Sequence, residues 1–328
     1  MIYSYALKKG KPLATELGRG DLVQQLRDKD VLIWVDLENP NEFEIEMLAE
    51  IFCFHPLAIE DCLNDQSSPK IDDYDEYLFM VMNGVTLIPK DGEQEAIVKP
   101  LELDAFLGSN YVVTFHKEPL PFLSSLREIL RKRPQSYFSQ GSDFLLHAIL
   151  DRMVDHYQPI LDYFDEYVER LEEQACLLQD QKRFLPDLLR AKKDVFNLKR
   201  LSGPQRDVIT YLIRHQMPLI HKKNIVYYKD LHDHLRQVYE NVEGFHESLN
   251  GALQAHYSQS SYHLNEIVKR MTVLATLTMP MLVLGSIYGM NFDHMPELDW
   301  KYGYFVALGV TIFVSVAMLV WMRKKKWI

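Results

Sequence analysis

Cysteine is scarce in this sequence: Cys53, Cys62 and Cys176 are its only three, and they are widely scattered. That excludes a disulfide framework and a C-x-x-C metal or redox pair, leaving reduced, structural thiols as the expectation. Basic excess is lacking too. Thirty-six Lys and Arg stand against 46 Asp and Glu, a formal net charge of −10, and no basic stripe dominates, so nucleic acid is not an expected partner. No H-E-x-x-H, phosphate-binding glycine loop or G-x-S-x-G occurs, which gives a catalytic domain little support; no catalytic cofactor is expected. The 12 histidines include His232-Asp233-His234, but residues two apart on a helix point away from each other, and only Asp230, Asp233 and His234 share a face. Met1 to Gly10 has no apolar core of the about 7 to 15 residues that a secretory signal needs, so the soluble part is expected to stay in the cytoplasm. Long uncharged runs are absent from most of the chain and concentrate near its end, where a whole-chain average hides them.

What is present divides by character. Ile2 to Ala6, Val31 to Leu37, Tyr77 to Ile88, Ala96 to Leu107 and Tyr111 to His116 are rich in β-branched and aromatic residues and read as the strands of one sheet. Between them Asn41 to Cys53 and Pro56 to Asn64 have helical spacing, with Asn39-Pro40-Asn41 before the first and Pro56 in the opening turn of the second. This α/β domain is assigned residues 1–141. Residues 142–223 read as helical, Leu146, Ile149, Met153, Ile160, Phe164, Val168 and Leu171 recurring at three and four. Breaks are expected near Asp180, Ser202-Gly203-Pro204 and Met217-Pro218. The acids Asp151, Asp155, Asp162, Asp165, Glu166, Glu169, Glu172 and Glu173 read as a solvated helix face, with a cation-attracting surface as the alternative. Residues 224–292 are expected to form one stalk helix on the order of 100 Å long at 1.5 Å per residue, with Pro280 as a candidate kink.

Within that helix, 271–292 carries no charge and is long enough to cross a ~30 Å hydrocarbon core; 302–322 is a second such run. Lys269 and Arg270 precede the first and Arg323-Lys324-Lys325-Lys326 follow the second, while the loop 293–301 carries three acids against one lysine. The positive-inside rule then puts both basic ends, including the tail 323–328, in the cytoplasm and the loop outside, in a bilayer whose interfaces suit Trp300, Tyr302, Tyr304, Trp321 and Trp327. Two helices cannot enclose an ion path, so conduction requires several copies around an axis.

At the outer end of the first span stands Tyr288-Gly289-Met290-Asn291-Phe292, followed by Asp293-His294-Met295-Pro296-Glu297-Leu298. With the lysine-rich end before Trp327, this pattern resembles the CorA family of magnesium and cobalt channels. His55 to Asp61 and Tyr228 to His234 resemble segments of that family's cytosolic domain more loosely. The resemblance implies a pentamer of α+β membrane subunits. Each has an N-terminal cytosolic α/β/α domain, a long stalk helix continuing into the first transmembrane helix, and a second transmembrane helix at the C-terminus, placed outside the pore. Met290 favours magnesium over the zinc-transporting branch of the superfamily, which stays the main alternative; a membrane-anchored metal-dependent enzyme is the remoter one. The cell (inner) membrane is the expected location, and magnesium, with cobalt as a second ion, the expected cargo.

Magnesium gives up its waters reluctantly, so neutral oxygens that accept hydrogen bonds from a hydrated ion suffice as a filter. Gly289, Met290 and Asn291 are the candidate filter, a ring of Asn291 carbonyls aimed by a turn that Gly289 permits; glycine and asparagine also simply end helices. Following the helical spacing inward gives Ser286, Leu282, Met279, Ala275, Met271 or Thr272, Val268 and Asn265 as the candidate pore lining, its methionines closing the path by dewetting. Asp293, Glu297 and Asp299 in the outer loop are expected to concentrate cations at the mouth. By the resemblance, Glu60, Asp61 and Asp230 are candidate ligands of a regulatory magnesium ion held between subunits.

Overall fold

The computed structural model describes every residue except 65–67, 90–95, 177–180, 216, 292–294, 296–299, 326 and 328. Contacts divide it into two units, Met1–Ala252 and Leu253–Ile328. The first unit opens with β1 (Ile2–Lys8), β2 (Ala14–Thr15), α1 (Arg19–Leu26) and β3 (Val31–Glu38), then α2 (Glu42–Phe52), α3 (Pro56–Leu63) and β4 (Lys70–Asp73). β5 (Leu78–Pro89), β6 (Ala96–Leu107) and β7 (Tyr111–His116) complete the strands. Then come α4 (Pro121–Lys132), α5 (Pro134–Phe138), α6 (Ser142–Asp155), α7 (Gln158–Cys176) and α8 (Gln181–Arg214). The strands form one sheet in the order β2-β1-β3-β7-β6-β5-β4. Among the described residues only the β3–β7 pair is parallel, with Val35 opposite Val113.

The expected strands are all present. β1 runs two residues further than the sequence pattern, and the short edge strands β2 and β4 carry too few residues for an alternation to show. Both expected helices after β3 form, for the reasons the sequence offers. Asn41 Oδ1 accepts from Glu44 N at 2.9 Å while Asn41 N donates to Glu44 Oε2 at 2.8 Å, a reciprocal cap that starts α2. Pro56 opens α3, whose cap His55 accepts from Leu57 N through Nδ1.

Three helices, α1, α4 and α5, were not expected. α4 is held by a buried charge. Asp36, fully buried in β3, accepts from Thr114 Oγ1 at 2.7 Å and from Arg127 Nη1 of α4 at 2.7 Å, and the Arg127 guanidinium lies 3.9 Å from the Tyr3 ring centroid.

The expected break at Ser202-Gly203-Pro204 does not occur: α8 runs through Pro186 and Pro204. Tertiary packing overrides the proline here. Leu201, Val208 and Ile209 are buried. Gln205 Nε2 donates to Tyr157 OH at 2.7 Å, and that hydroxyl donates to Asn83 O at 2.7 Å, so α8 is fastened to α7's approach and to β5 at the turn where it was expected to stop. The break near Asp180 falls on residues outside those described, between the end of α7 and the start of α8. α8 ends before Met217-Pro218, as expected.

α9 (Ile225–Tyr288) is a single 64-residue helix with Pro280 inside it; its first part belongs to the first unit and the rest to the second. α10 (Gly303–Lys324) completes the second unit. Mean hydropathy reaches 1.6 in the apolar part of α9 and 2.4 in α10, and almost nothing in either stretch is buried. Burial as core helices of this chain does not account for helices so apolar and so uncovered, whereas a hydrocarbon surround would.

Candidate functional site

α9 loses its regular hydrogen bonding at the expected motif. Gly289 N still donates to Gly285 O at 3.1 Å, and Met290 N shortens the turn by donating to Ile287 O at 3.2 Å. Gly289 does not adopt a positive φ; the glycines that do, among the described residues, are Gly10 and Gly141. The turn here is made without a left-handed residue. A β-carbon there would meet Gly285 O at 3.1 Å and Ser286 O at 3.5 Å, so what glycine gives is room beside the last helical carbonyls. Met290 and Asn291 are exposed. Asp293, Glu297 and Asp299, with Phe292 at the end of the first span, lie outside the described residues.

The candidate pore stripe is uncovered along its length: Asn265, Val268, Met271, Thr272, Ala275, Met279, Leu282 and Ser286 are all exposed. Val273, Thr276, Leu277, Pro280 and Leu284 are half-covered and mark a different face of α9. On α10 the half-covered positions include Gly303, Ala307, Thr311 and Ser315, four small residues one turn apart, the pattern that lets helices approach in a membrane. Ser315 Oγ donates to Leu277 O at 3.3 Å and joins the two faces. The exposed hydroxyl-bearing residues satisfy themselves: Thr272 Oγ1 donates to Val268 O and Thr278 Oγ1 to Leu274 O. The uncovered sector is wider than one stripe, since Leu274 and Met281 are also exposed.

In the first unit Glu60 is exposed and Asp61 half-buried on α3. Asp61 Oδ2 accepts from Lys70 Nζ at 2.6 Å, and the same ammonium lies 3.1 Å from Asp72 Oδ2. Burial lowers the Lys70 pKa, but hydrogen bonds to Asp61 and Asp72 outweigh it and leave the group above the ordinary lysine value. Asp230 is exposed on α9 and has neighbours that the sequence did not reveal. Both Asp230 and His234 act electrostatically on His147 and Asp151 of α6. Burial pushes the His147 imidazole below its ordinary pKa, opposed by Asp151, and raises the Asp151 carboxyl, opposed by His147. A cavity of about 230 Å³ beside them is lined by Asp155, Gln158, His234 and Gln237. The spacings His147/Asp151/Asp155 and Asp230/His234 are each one helical turn and visible in sequence, but only the fold shows that these two faces oppose. Asp233 does not join them; it is exposed, close to His232 and Arg236.

Carboxylate oxygens fit magnesium in kind. They do not fit in number within one chain: among the described residues no group of three or more His, Cys, Asp or Glu is placed to hold a metal ion.

Two apolar, uncovered helices long enough to cross a membrane follow an α/β unit, the arrangement of a two-span membrane protein. The family model described as CorA-like Mg2+ transporter protein matches residues 29–324, and the chain belongs to that family. It is 32% identical over 307 residues to the cobalt/magnesium transport protein CorA of Thermotoga maritima, covering 93% of this chain and 86% of that protein. It is 23% identical over 299 residues to the cobalt/magnesium transport protein CorA of Methanocaldococcus jannaschii, covering 90% and 92%. The fold matches the complete structure of the CorA magnesium transporter from M. jannaschii with a TM-score of 0.81 at 21% identity, over 100% of this chain and 99% of that one. The family is one of transporters, not enzymes.

Proposed function

We propose that this chain is one subunit of a homo-oligomeric channel, a pentamer, that admits hydrated magnesium, and cobalt as a second ion, down the membrane potential and is inhibited by cytosolic magnesium. The observation that carries the reading is Gly289-Met290-Asn291 at the end of the apolar part of α9 in a chain of this family. Asn291 carbonyls, repeated around an axis, accept hydrogen bonds from the ion's waters without stripping them. The uncovered stripe from Ser286 to Asn265 lines the path, and Met279 and Met271 close it by dewetting. Asp293, Glu297 and Asp299 raise the cation concentration at the mouth. Both ends of the chain lie in the cytoplasm, by the placement of Lys269, Arg270 and Arg323 to Lys326.

Glu60, Asp61 and Asp230 hold the regulatory ion between copies, the scheme taking its ligands from two chains. Asp151 and His234 share the electrostatic surroundings of Asp230. The test is ion uptake by the purified protein in liposomes under an imposed potential. Magnesium entry without ATP or a proton gradient is expected. Uptake of zinc in preference to magnesium would overturn the assignment of cargo, and no uptake of any divalent ion would overturn the channel.

A further inference from the structure

Asp61 is already paired with a cation in the isolated chain. Lys70, the first residue of β4, reaches it at 2.6 Å and sits 3.1 Å from Asp72. Its position is fixed by backbone pairing, Lys70 opposite Val81 of β5, and its ammonium lies 5.7 Å from the Phe79 ring centroid. Lys70 and Asp61 side chains are 36% and 27% exposed, so the pair is open enough to break and covered enough to matter.

We propose that Lys70 is a built-in competitor for the divalent ion at Asp61, setting the magnesium concentration at which the site fills. This rests on the reading of Asp61 as a regulatory ligand. When magnesium is low the ammonium holds the carboxylate; when a divalent ion binds, the ammonium is repelled from it. The geometry gives the displaced group somewhere to go. Lysine is a point charge on a flexible four-carbon stem, and Asp72, already within ion-pair distance, keeps a partner for it after Asp61 is surrendered. Displacement is therefore reversible within one side chain's reach and needs no refolding of α3 or β4. Without Lys70, Asp61 would present an unopposed carboxylate and the site would fill at lower magnesium. A device of this kind raises the threshold without removing a ligand.

The test uses the full-length protein in liposomes and reads two quantities, the internal magnesium concentration at half-inhibition of uptake and that at half-protection of the soluble part from protease. Lys70→Gln is expected to lower both by roughly three- to tenfold, the scale of the net contribution of one typical intramolecular hydrogen bond. Lys70→Arg keeps the charge and is expected to stay within about twofold of the parent. The Lys70→Gln shift should persist at ~1 M salt, where the Debye length of about 3 Å leaves only direct contact. An unchanged or higher half-point in Lys70→Gln, a shift equally large in Lys70→Arg, or a shift that vanishes at high salt overturns the competition. Asp61→Asn run in parallel separates the two claims. If it responds to magnesium as the parent does, the regulatory reading fails; if it loses the response while Lys70→Gln matches the parent, only the role of Lys70 fails.

Discussion

Single side chains decide two different things in this protein, and their effects should separate cleanly. Asp36 is a buried carboxylate whose partners include Arg127 at 2.7 Å, Thr114 at 2.7 Å and His116 Nε2 at 3.2 Å. Removing the guanidinium leaves a charge without its main compensation in a place water does not reach. Arg127→Met is expected to destabilise the protein by roughly 3–5 kcal/mol, measured as the shift in a denaturant unfolding midpoint, with normal uptake per folded channel. A loss below about 1 kcal/mol would show that the remaining partners suffice. Asn291 is the opposite case. It is exposed, has little to do with the packing of its own chain, and should matter only to the ion. Asn291→Ala is expected to abolish magnesium uptake while the protein still inserts and assembles; normal flux through a correctly assembled variant would remove it from the filter. Asn291 was legible in sequence because it sits in a short motif at a span end. Asp36 was not, because a lone acid in an apolar strand pattern carries no sign of the arginine 91 residues away that neutralises it.

At the scale of elements, the readable features were those whose cause is local. The capping exchange of Asn41 with Glu44, Pro56 at the head of α3, the β-branched and aromatic content of β5 to β7 and the uncharged runs of α9 and α10 each carry their reason within a few residues. The unreadable ones have distant causes. α4 exists where β3 and β1 give Arg127 a place to bind, α8 continues where Tyr157 and Asn83 fasten Gln205, and the opposed faces of α6 and α9 that set Asp230 in the field of His147 and Asp151 depend on how two helices far apart in sequence pack. Gly289 lies between the two, since its place at the helix end is visible in sequence but the closeness of Gly285 O to any β-carbon there is not. The continuity of α8 has a measurable consequence. Pro204 withholds an N–H from a helix that runs through it, at a position where proline costs up to about 3 kcal/mol relative to alanine. Pro204→Ala should therefore raise the thermal midpoint of the full-length protein, by the equivalent of about 1–3 kcal/mol. A lower midpoint would mean that the ring itself packs favourably there and that α8 is bent to suit it.

For the whole molecule, the question is whether carboxylates on a soluble unit can hold a membrane pore shut. In the proposed scheme a cation between Asp61 of one copy and Asp230 of the next would bridge groups that otherwise repel, so that bound magnesium would favour the arrangement that brings the copies together. At a free concentration ten times the dissociation constant, one site stabilises the bound arrangement by about 1.4 kcal/mol. That is too little to close a channel. Five sites, one at each boundary of a pentamer, give roughly 7 kcal/mol if the open arrangement does not bind, against the ~5.5 kcal/mol needed to move a two-state equilibrium from 1:99 to 99:1. The regulatory scheme thus needs the oligomer for its energy as well as for its missing ligands. Replacing Asp61 and Asp230 together by asparagine is expected to leave a conducting channel that internal magnesium no longer inhibits, and to abolish magnesium-dependent protection of the soluble part from protease. Inhibition and protection at the parent's magnesium concentrations would place the sensor elsewhere. The next residues to replace would then be Asp151 and His234, which share Asp230's surroundings and supply the oxygen and nitrogen that a divalent ion would use in their absence.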